Sequence, residues 1–157
     1  MLDLLGRGGE LLCHMVLLYN KSIWGKDGAT MGMVLHIDSP DFIDAVNDII
    51  HDCWFAVDDI SFDALASRLS IPFEYELPGT VAKNLFHQDY AGGRRRKGLL
   101  CFHGVLSYML DDTERIGRYD FNRIQYDPVQ GMVRIVTNIP LLLAIQVQTF
   151  EVTVEIS

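Results

Sequence analysis

Aspartates crowd one stretch of the chain that contains no lysine or arginine. Nine carboxylates lie between Lys26 and Arg68. Four of the nine recur at spacings of three, four and four, which places them on one face of a helix at 100° per residue. These four are Asp41, Asp44, Asp48 and Asp52, and Asp58 and Asp59 follow shortly after. Two interpretations remain open: a simply solvated face, or a surface that binds a basic protein.

Positive charge is concentrated in one basic run that follows a pair of glycines. The run consists of Arg94, Arg95, Arg96 and Lys97, which are four of the thirteen basic residues. Backbone N–H groups beside Gly92 and Gly93 can join guanidinium groups on one anion. We therefore expect weak, salt-sensitive binding of phosphate-bearing ligands, without base preference. The alternatives are a flexible solubilising loop or an intramolecular partner for the acidic helix.

Cys101 and His103 are the strongest pair of metal-ligating residue types. They stand two residues apart on an expected strand and therefore share a face, which is half of a transition-metal site. A buried thiol beside a hydrogen-bonded histidine explains the same pattern. Because two ligands do not make a site, the sequence predicts no metal and no cofactor.

The sequence contains no motif that is diagnostic of a reaction. There is no GxSxG elbow, no HExxH pair, no nucleotide-binding GxxxxGKS/T loop and no calcium-binding loop pattern. No cysteine stands in a recognised nucleophile signature. These observations favour a protein that is not an enzyme.

Composition places the chain in the ordinary globular class. It has 157 residues, of which 49% are hydrophobic and 22% charged, and a formal net charge of −8. The negative field disfavours specific nucleic-acid binding and anionic membranes. Three widely spaced cysteines without a CxxC pair indicate reduced thiols in a cytoplasm. The apolar run Leu11–Tyr19 is too short to cross a membrane.

Glycines divide the chain into a leader and a main domain. Residues 1–32 are glycine-punctuated, so we expect a leader that is loosely packed or forms a short helix around Leu11–Tyr19. Met31 and Met33 are alternative starting points for the native product. Residues 33–157 are expected to form a single α+β domain.

Hydrophobic periodicity predicts one helix and several strands in that domain. Ser39 and Pro40 form a helix start, and an apolar stripe at helical spacing extends the helix to Asp52. Period-two alternation predicts a hairpin over residues 58–77 and a second one over 119–137. Single strands are expected at 33–37, at 99–110 and, with a bulge near Gln148, at 141–156.

These elements predict an α+β fold in which the amphipathic helix Pro40–Asp52 packs on a mainly antiparallel sheet, or a partly closed barrel, of about six strands. The core is expected to lie beneath a charged convex surface. Its predicted members are Phe42, Val46, Ile49, Ile71, Phe73, Phe102, Ile124, Ile135 and Val152.

The charge pattern favours a small acidic, non-catalytic protein-interaction module, with a charge balance like that of inhibitor or immunity proteins. Its partner would be a basic protein that contacts the six aspartates. The alternative is an enzyme, or a protein that binds a small ligand or a metal, using a sheet-lined cavity near Cys101 and His103.

Overall fold

The described part of the protein is built mostly from antiparallel strands. The computed structural model describes residues 16–20, 32–76 and 95–157. The strands are β1 (Val16–Asn20), β2 (Gly32–Ile37), β3 (Trp54–Ala56), β4 (Ser61–Asp63), β5 (Arg68–Glu76), β6 (Arg95–Phe102), β7 (Val105–Asp111), β8 (Arg118–Asp127), β9 (Met132–Thr137), β10 (Leu142–Val147) and β11 (Val152–Ile156). The helix α1 spans Ile43–Ile50, and single 3-10 turns lie at Pro40–Phe42 and Val57–Asp59.

Ten of the eleven strands follow one another across a single open sheet. Their order is β1-β2-β11-β6-β5-β3-β8-β9-β10-β7, and β4 pairs with β5 beside this path. Every pairing is antiparallel. The mainly antiparallel sheet that the sequence predicts is therefore confirmed.

The predicted α+β class, the count of about six strands and the partly closed barrel are wrong, because the described residues form mostly one open antiparallel sheet with a single short helix. Residues 99–110 form two strands because Gly104 adopts a left-handed φ of +62° between β6 and β7. Residues 141–156 also form two strands, and these pair with different neighbours: β10 with β7 and β9, β11 with β2 and β6. The very short β3, and β1 near the start of the chain, have no counterpart in the prediction.

The long amphipathic helix predicted over Pro40–Asp52 is also wrong. The segment begins with the 3-10 turn, in which the Asp41 N–H donates to the Ser39 hydroxyl at 3.3 Å. Helix α1 has eight residues and buries only Val46 and Ile50. It stops because the backbone at His51 turns extended.

Both predicted hairpins are present, since each depends on residues close together in the chain. Strand β4 pairs with β5, and β8 pairs with β9 through a turn in which Gly131 has a φ of +60°. Pro72 lies in β5 and lacks an N–H group. On one edge of β5 the pairing with β4 ends at Ser70 and the pairing with β3 is at Glu74, so Pro72 lies between the two pairings, where no strand partner on that edge needs its N–H.

One hydrophobic cluster joins side chains from both ends of the strand path. At its centre, the Phe55 ring stacks at a tilt on Phe121, with centroids 4.4 Å apart, and Phe73 meets Phe121 edge-on at 6.2 Å. Seven predicted core residues are buried: Val46, Ile71, Phe73, Phe102, Ile124, Ile135 and Val152. Phe42 and Ile49 are half-buried against the cluster.

Part of the predicted leader belongs to the sheet. Residues 16–20, including Leu18 and Tyr19 from the possible short helix, form β1 and pair with β2. Residues 1–15 and 21–31 lie outside the described residues, so the division at residue 32 stays a prediction. In the described parts of the chain, no helix has the length and apolarity needed to cross a membrane.

One side chain of helix α1 forms hydrogen bonds with the backbone of β8. The Asn47 Oδ1 atom accepts a hydrogen bond from the Ile124 backbone N–H at 2.6 Å, and its Nδ2 atom donates to the Ile124 carbonyl at 3.3 Å. The Asn47 side chain thus supplies to the buried residue Ile124 the two backbone hydrogen bonds that a neighbouring strand would otherwise supply.

Replacing Asn47 with alanine leaves the N–H and carbonyl groups of Ile124 without these partners. We expect Asn47→Ala to lower the free energy of unfolding by about 1–3 kcal/mol, as measured by urea denaturation. The control is Asp48→Ala, an exposed position on the same helix, which should change the value by less than about 0.5 kcal/mol. Equal effects of the two substitutions would show that Asn47 does not anchor the helix.

Candidate interaction surface

All six predicted partner-binding aspartates are exposed. Asp41 lies in the 3-10 turn before α1, and Asp44 and Asp48 lie one helical turn apart on α1 itself. Asp52 follows the end of α1. These four form what we call the acidic face. Asp58 and Asp59 lie beyond β3, so three residues of strand separate them from the acidic face.

The acidic face is not neutralised from within the described part of the molecule. Among these residues the carboxylates in close contact with a basic side chain pair with Arg95 and Arg118, or lie beside the imidazoles of His36 and His51. Only His51 contacts the acidic face, with its Nδ1 atom 3.0 Å from a carboxylate oxygen of Asp52. The surface charge is therefore available to a partner, within the range that salt screening allows.

The basic run lies mostly in a strand rather than in a loop. Arg94 lies outside the described residues, whereas Arg95, Arg96 and Lys97 open β6 and pair with Glu76, Tyr75 and Glu74 of β5. Side chains in a strand alternate between its faces, so these three do not converge on one anion. The Arg95 guanidinium lies 3.9 Å from Glu74 and 3.8 Å from Glu76. Its intramolecular partners are thus in β5 and not in the acidic helix.

Trp54 is an exposed aromatic side chain held between charged neighbours. Trp54 is 37% exposed. The guanidinium carbon of Arg118 lies 5.0 Å from the centroid of its ring, and that of Arg95 lies 5.6 Å from it. Both distances are within cation–π range. Arg118 in turn donates to Glu74 at 2.8 Å. These contacts restrict an aromatic ring that the solvent can reach.

A cavity of about 530 Å³ opens beside Trp54. Four carboxylates line it, from Asp52, Glu74, Glu76 and Asp120, together with Arg95. The cavity thus brings together the last residue of the acidic face and one residue of the basic run, which the sequence analysis treated as separate sites. A second concavity, of about 500 Å³, lies between α1 and the β8–β9 hairpin. The expectation of a purely convex charged surface is therefore wrong.

Cys101 and His103 lie near each other, but each has its own hydrogen-bond partner. Cys101 is 4% exposed, and its Sγ atom lies 3.5 Å from the Ser70 Oγ atom. The His103 Nε2 atom lies 3.0 Å from the Thr153 Oγ1 atom, which also lies 3.1 Å from the His36 Nδ1 atom. Within the described residues, no three His, Cys, Asp or Glu side chains are arranged to hold a metal ion.

Both described cysteines are free thiols in environments that disfavour the thiolate. Burial, reinforced by the charge of Asp52, raises the pKa of the Cys53 thiol to about 11. Burial also raises the pKa of the Cys101 thiol, partly offset by its contact with Ser70. Neither environment activates a cysteine nucleophile, which requires a lowered pKa.

No family model, no curated protein and no solved structure matches this chain. Its function must therefore be inferred from the geometry of its own surface.

The raised pKa values predict unreactive thiols in the folded protein. With a pKa of about 11, Cys53 is about one-thousandth thiolate at pH 8, and alkylation or disulfide exchange requires the thiolate. In a Cys13→Ser variant, which leaves Cys53 and Cys101, we expect no fast thiol reaction with an aromatic disulfide reagent. Two thiols should react once the protein is unfolded in urea. A rapid stoichiometric reaction of the folded variant would contradict the assignment.

The ion pairs of Arg95 predict that its carboxylate partners limit anion binding by the basic run. In a Glu74→Gln/Glu76→Gln variant, binding of tripolyphosphate at low salt should strengthen about threefold, and physiological salt should abolish the difference. The control is Asp38→Asn/Glu114→Gln, which makes the same change in net charge at two exposed positions outside β5 and β6. Isothermal titration calorimetry provides the measurement, and equal gains in the two variants would assign the effect to net charge alone.

Proposed function

We propose that this protein is a non-catalytic protein-interaction module that binds a basic protein through its acidic face and the adjoining Trp54. The observation that carries the proposal is the position of Asp52. It ends the acidic face and also lines the cavity beside Trp54, so the two features form one continuous surface.

The chemistry of this surface resembles the centre and rim of protein interfaces. Tryptophan and arginine dominate the binding energy of many interfaces, and here Trp54 lies against Arg95 and Arg118. Carboxylates around such a centre steer an oppositely charged partner and fix its orientation. The contacts that restrict the Trp54 ring also reduce the entropy that it loses on binding.

The described thiols favour a binding role over a catalytic one. The two cysteines are buried with raised pKa values, which is the opposite of an activated nucleophile. Their free, unbridged state also fits the cytoplasmic location that we propose for the protein.

The proposal is tested by reversing charge on the acidic face. The variant Asp44→Lys/Asp48→Lys is titrated with a fluorescent lysine-rich decapeptide at low salt, with circular dichroism to verify the fold. We expect roughly tenfold weaker binding than for the unmodified protein, and convergence of the two at physiological salt or above.

The matched control is Glu114→Lys/Glu155→Lys, which changes the net charge equally at exposed positions away from the acidic face. It should weaken binding by a clearly smaller factor, about two- to threefold, because its charges lie away from the peptide bound at the acidic face and Coulomb attraction falls with distance even at low salt. Equal losses in the two variants would show that only net charge attracts the peptide and would overturn the proposal.

A further inference from the structure

We infer that the cavity beside Trp54 binds one cationic side chain, a lysine or an arginine, of that basic partner. The inference rests on the proposed function and adds to it the residue type that the partner inserts. It is drawn from the charge, the aromatic wall and the apolar lining residues of the cavity.

The lining of the cavity has an excess of negative charge. Four carboxylates face it, and Arg95 is the one guanidinium among the lining residues. Arg95 lies 3.8 Å from Glu76 and 3.9 Å from Glu74, whereas Arg118 contacts Glu74 at 2.8 Å. The pairs formed by Arg95 are therefore long. A second cation finds carboxylate oxygens in the cavity that Arg95 does not engage closely.

The remaining two carboxylates contact no lysine or arginine in the described residues. Asp52 has only the imidazole of His51, at 3.0 Å, and Asp120 accepts a hydrogen bond from the Asn138 amide at 2.5 Å. Both side chains thus retain lone pairs for an ammonium or guanidinium donor.

Trp54 supplies a wall that attracts cations. The positions of Arg95 and Arg118, 5.6 and 5.0 Å from the ring centroid, show that guanidinium groups already settle against this ring. The lining also includes the apolar residues Ile49 and Cys53, which suit the methylene stem of a long basic side chain. A cavity of about 530 Å³ is large enough for such a side chain.

The register of the sheet also favours a cation in the cavity. Trp54 pairs with Glu74 on β5 and with Asp120 on β8, so a carboxylate flanks the ring residue on each neighbouring strand. Arg95 is then an internal competitor for a partner's cation, because it lines the cavity and lies near the same ring and the carboxylates of Glu74 and Glu76.

The test uses two blocked pentapeptides, Gly-Gly-Arg-Gly-Gly and its citrulline counterpart, which has nearly the same shape without the charge. The readout is the indole N–H resonance of Trp54 in the full chain, assigned with a Trp54→Phe variant. We expect a saturable shift with the arginine peptide at low salt and none with the citrulline peptide. Shifts of equal size with both peptides, or with neither, overturn the inference.

Substitutions in the cavity should change the affinity in opposite directions. Glu76→Gln should weaken binding of the arginine peptide about two- to fivefold, and Arg95→Gln should strengthen it by a similar factor because it removes the competing cation. The control for Arg95→Gln is Arg115→Gln, an exposed arginine outside the cavity, which makes the same charge change and should have no effect. Equal gains from the two arginine variants overturn the inference.

The two proposals fail in distinguishable ways. If Asp44→Lys/Asp48→Lys weakens binding of the lysine-rich decapeptide while the arginine pentapeptide leaves the Trp54 resonance unmoved, the cavity inference is wrong and the acidic face stands. If the pentapeptide shifts the resonance but the helix variants bind the decapeptide normally, the cavity stands and the acidic face does not.

Discussion

The candidate surface depends on how the backbone of β8 is hydrogen-bonded along one of its edges. The neighbouring strand on that edge, β3, is shorter than β8, so other groups must supply the remaining hydrogen-bond partners. Residues 118–120 pair with β3, and the later residues pair with β9 on the opposite edge. Among the described residues, no strand pairs with the first edge beyond Asp120, yet an unpaired buried backbone group is costly. The turn after α1 supplies partners at Phe121, and Asn47 supplies them at Ile124.

These hydrogen bonds fix the position of α1 on the sheet and therefore the position of the aspartates of the acidic face. The Asp52 N–H donates to the Phe121 carbonyl at 2.9 Å, and the Phe121 N–H donates to the Cys53 carbonyl at 2.9 Å. The chain is therefore fixed on both sides of the bend where Asp52 has a left-handed φ of 61°. The acidic face ends at this bend, two residues before Trp54. The same bonds that complete β8 thus join the aspartates of the helix to the cavity.

The sequence predicts the parts of this arrangement that depend on neighbours along the chain. The β8–β9 hairpin follows from its turn residues, and the exposure of Asp44 and Asp48 follows from their spacing on a helix. The cavity is different because its residues meet through long-range pairing. Arg95 lies opposite Glu76 because of the register between β5 and β6. Trp54 lies between Glu74 and Asp120 because β3, which is three residues long, pairs with the longer strands β5 and β8 on its two sides. No local pattern marks so short a strand. Trp54 itself was the available signal, since a tryptophan beside an aspartate run is a candidate interface residue.

Under the proposed function, two ranges of electrostatic interaction would contribute to recognition. A net charge of −8 would draw a basic partner toward the molecule at distances where the identity of single residues does not matter, and salt would weaken this attraction. Within roughly 8 Å, local groups outweigh the average field. There the carboxylates beside Trp54 would act on one side chain at a time, and part of that side chain would leave water for the aromatic ring and the apolar lining residues. Because desolvation strengthens local contacts and makes an unpaired charge costly, a cavity that binds as we propose would discriminate among partners that the long-range field attracts equally.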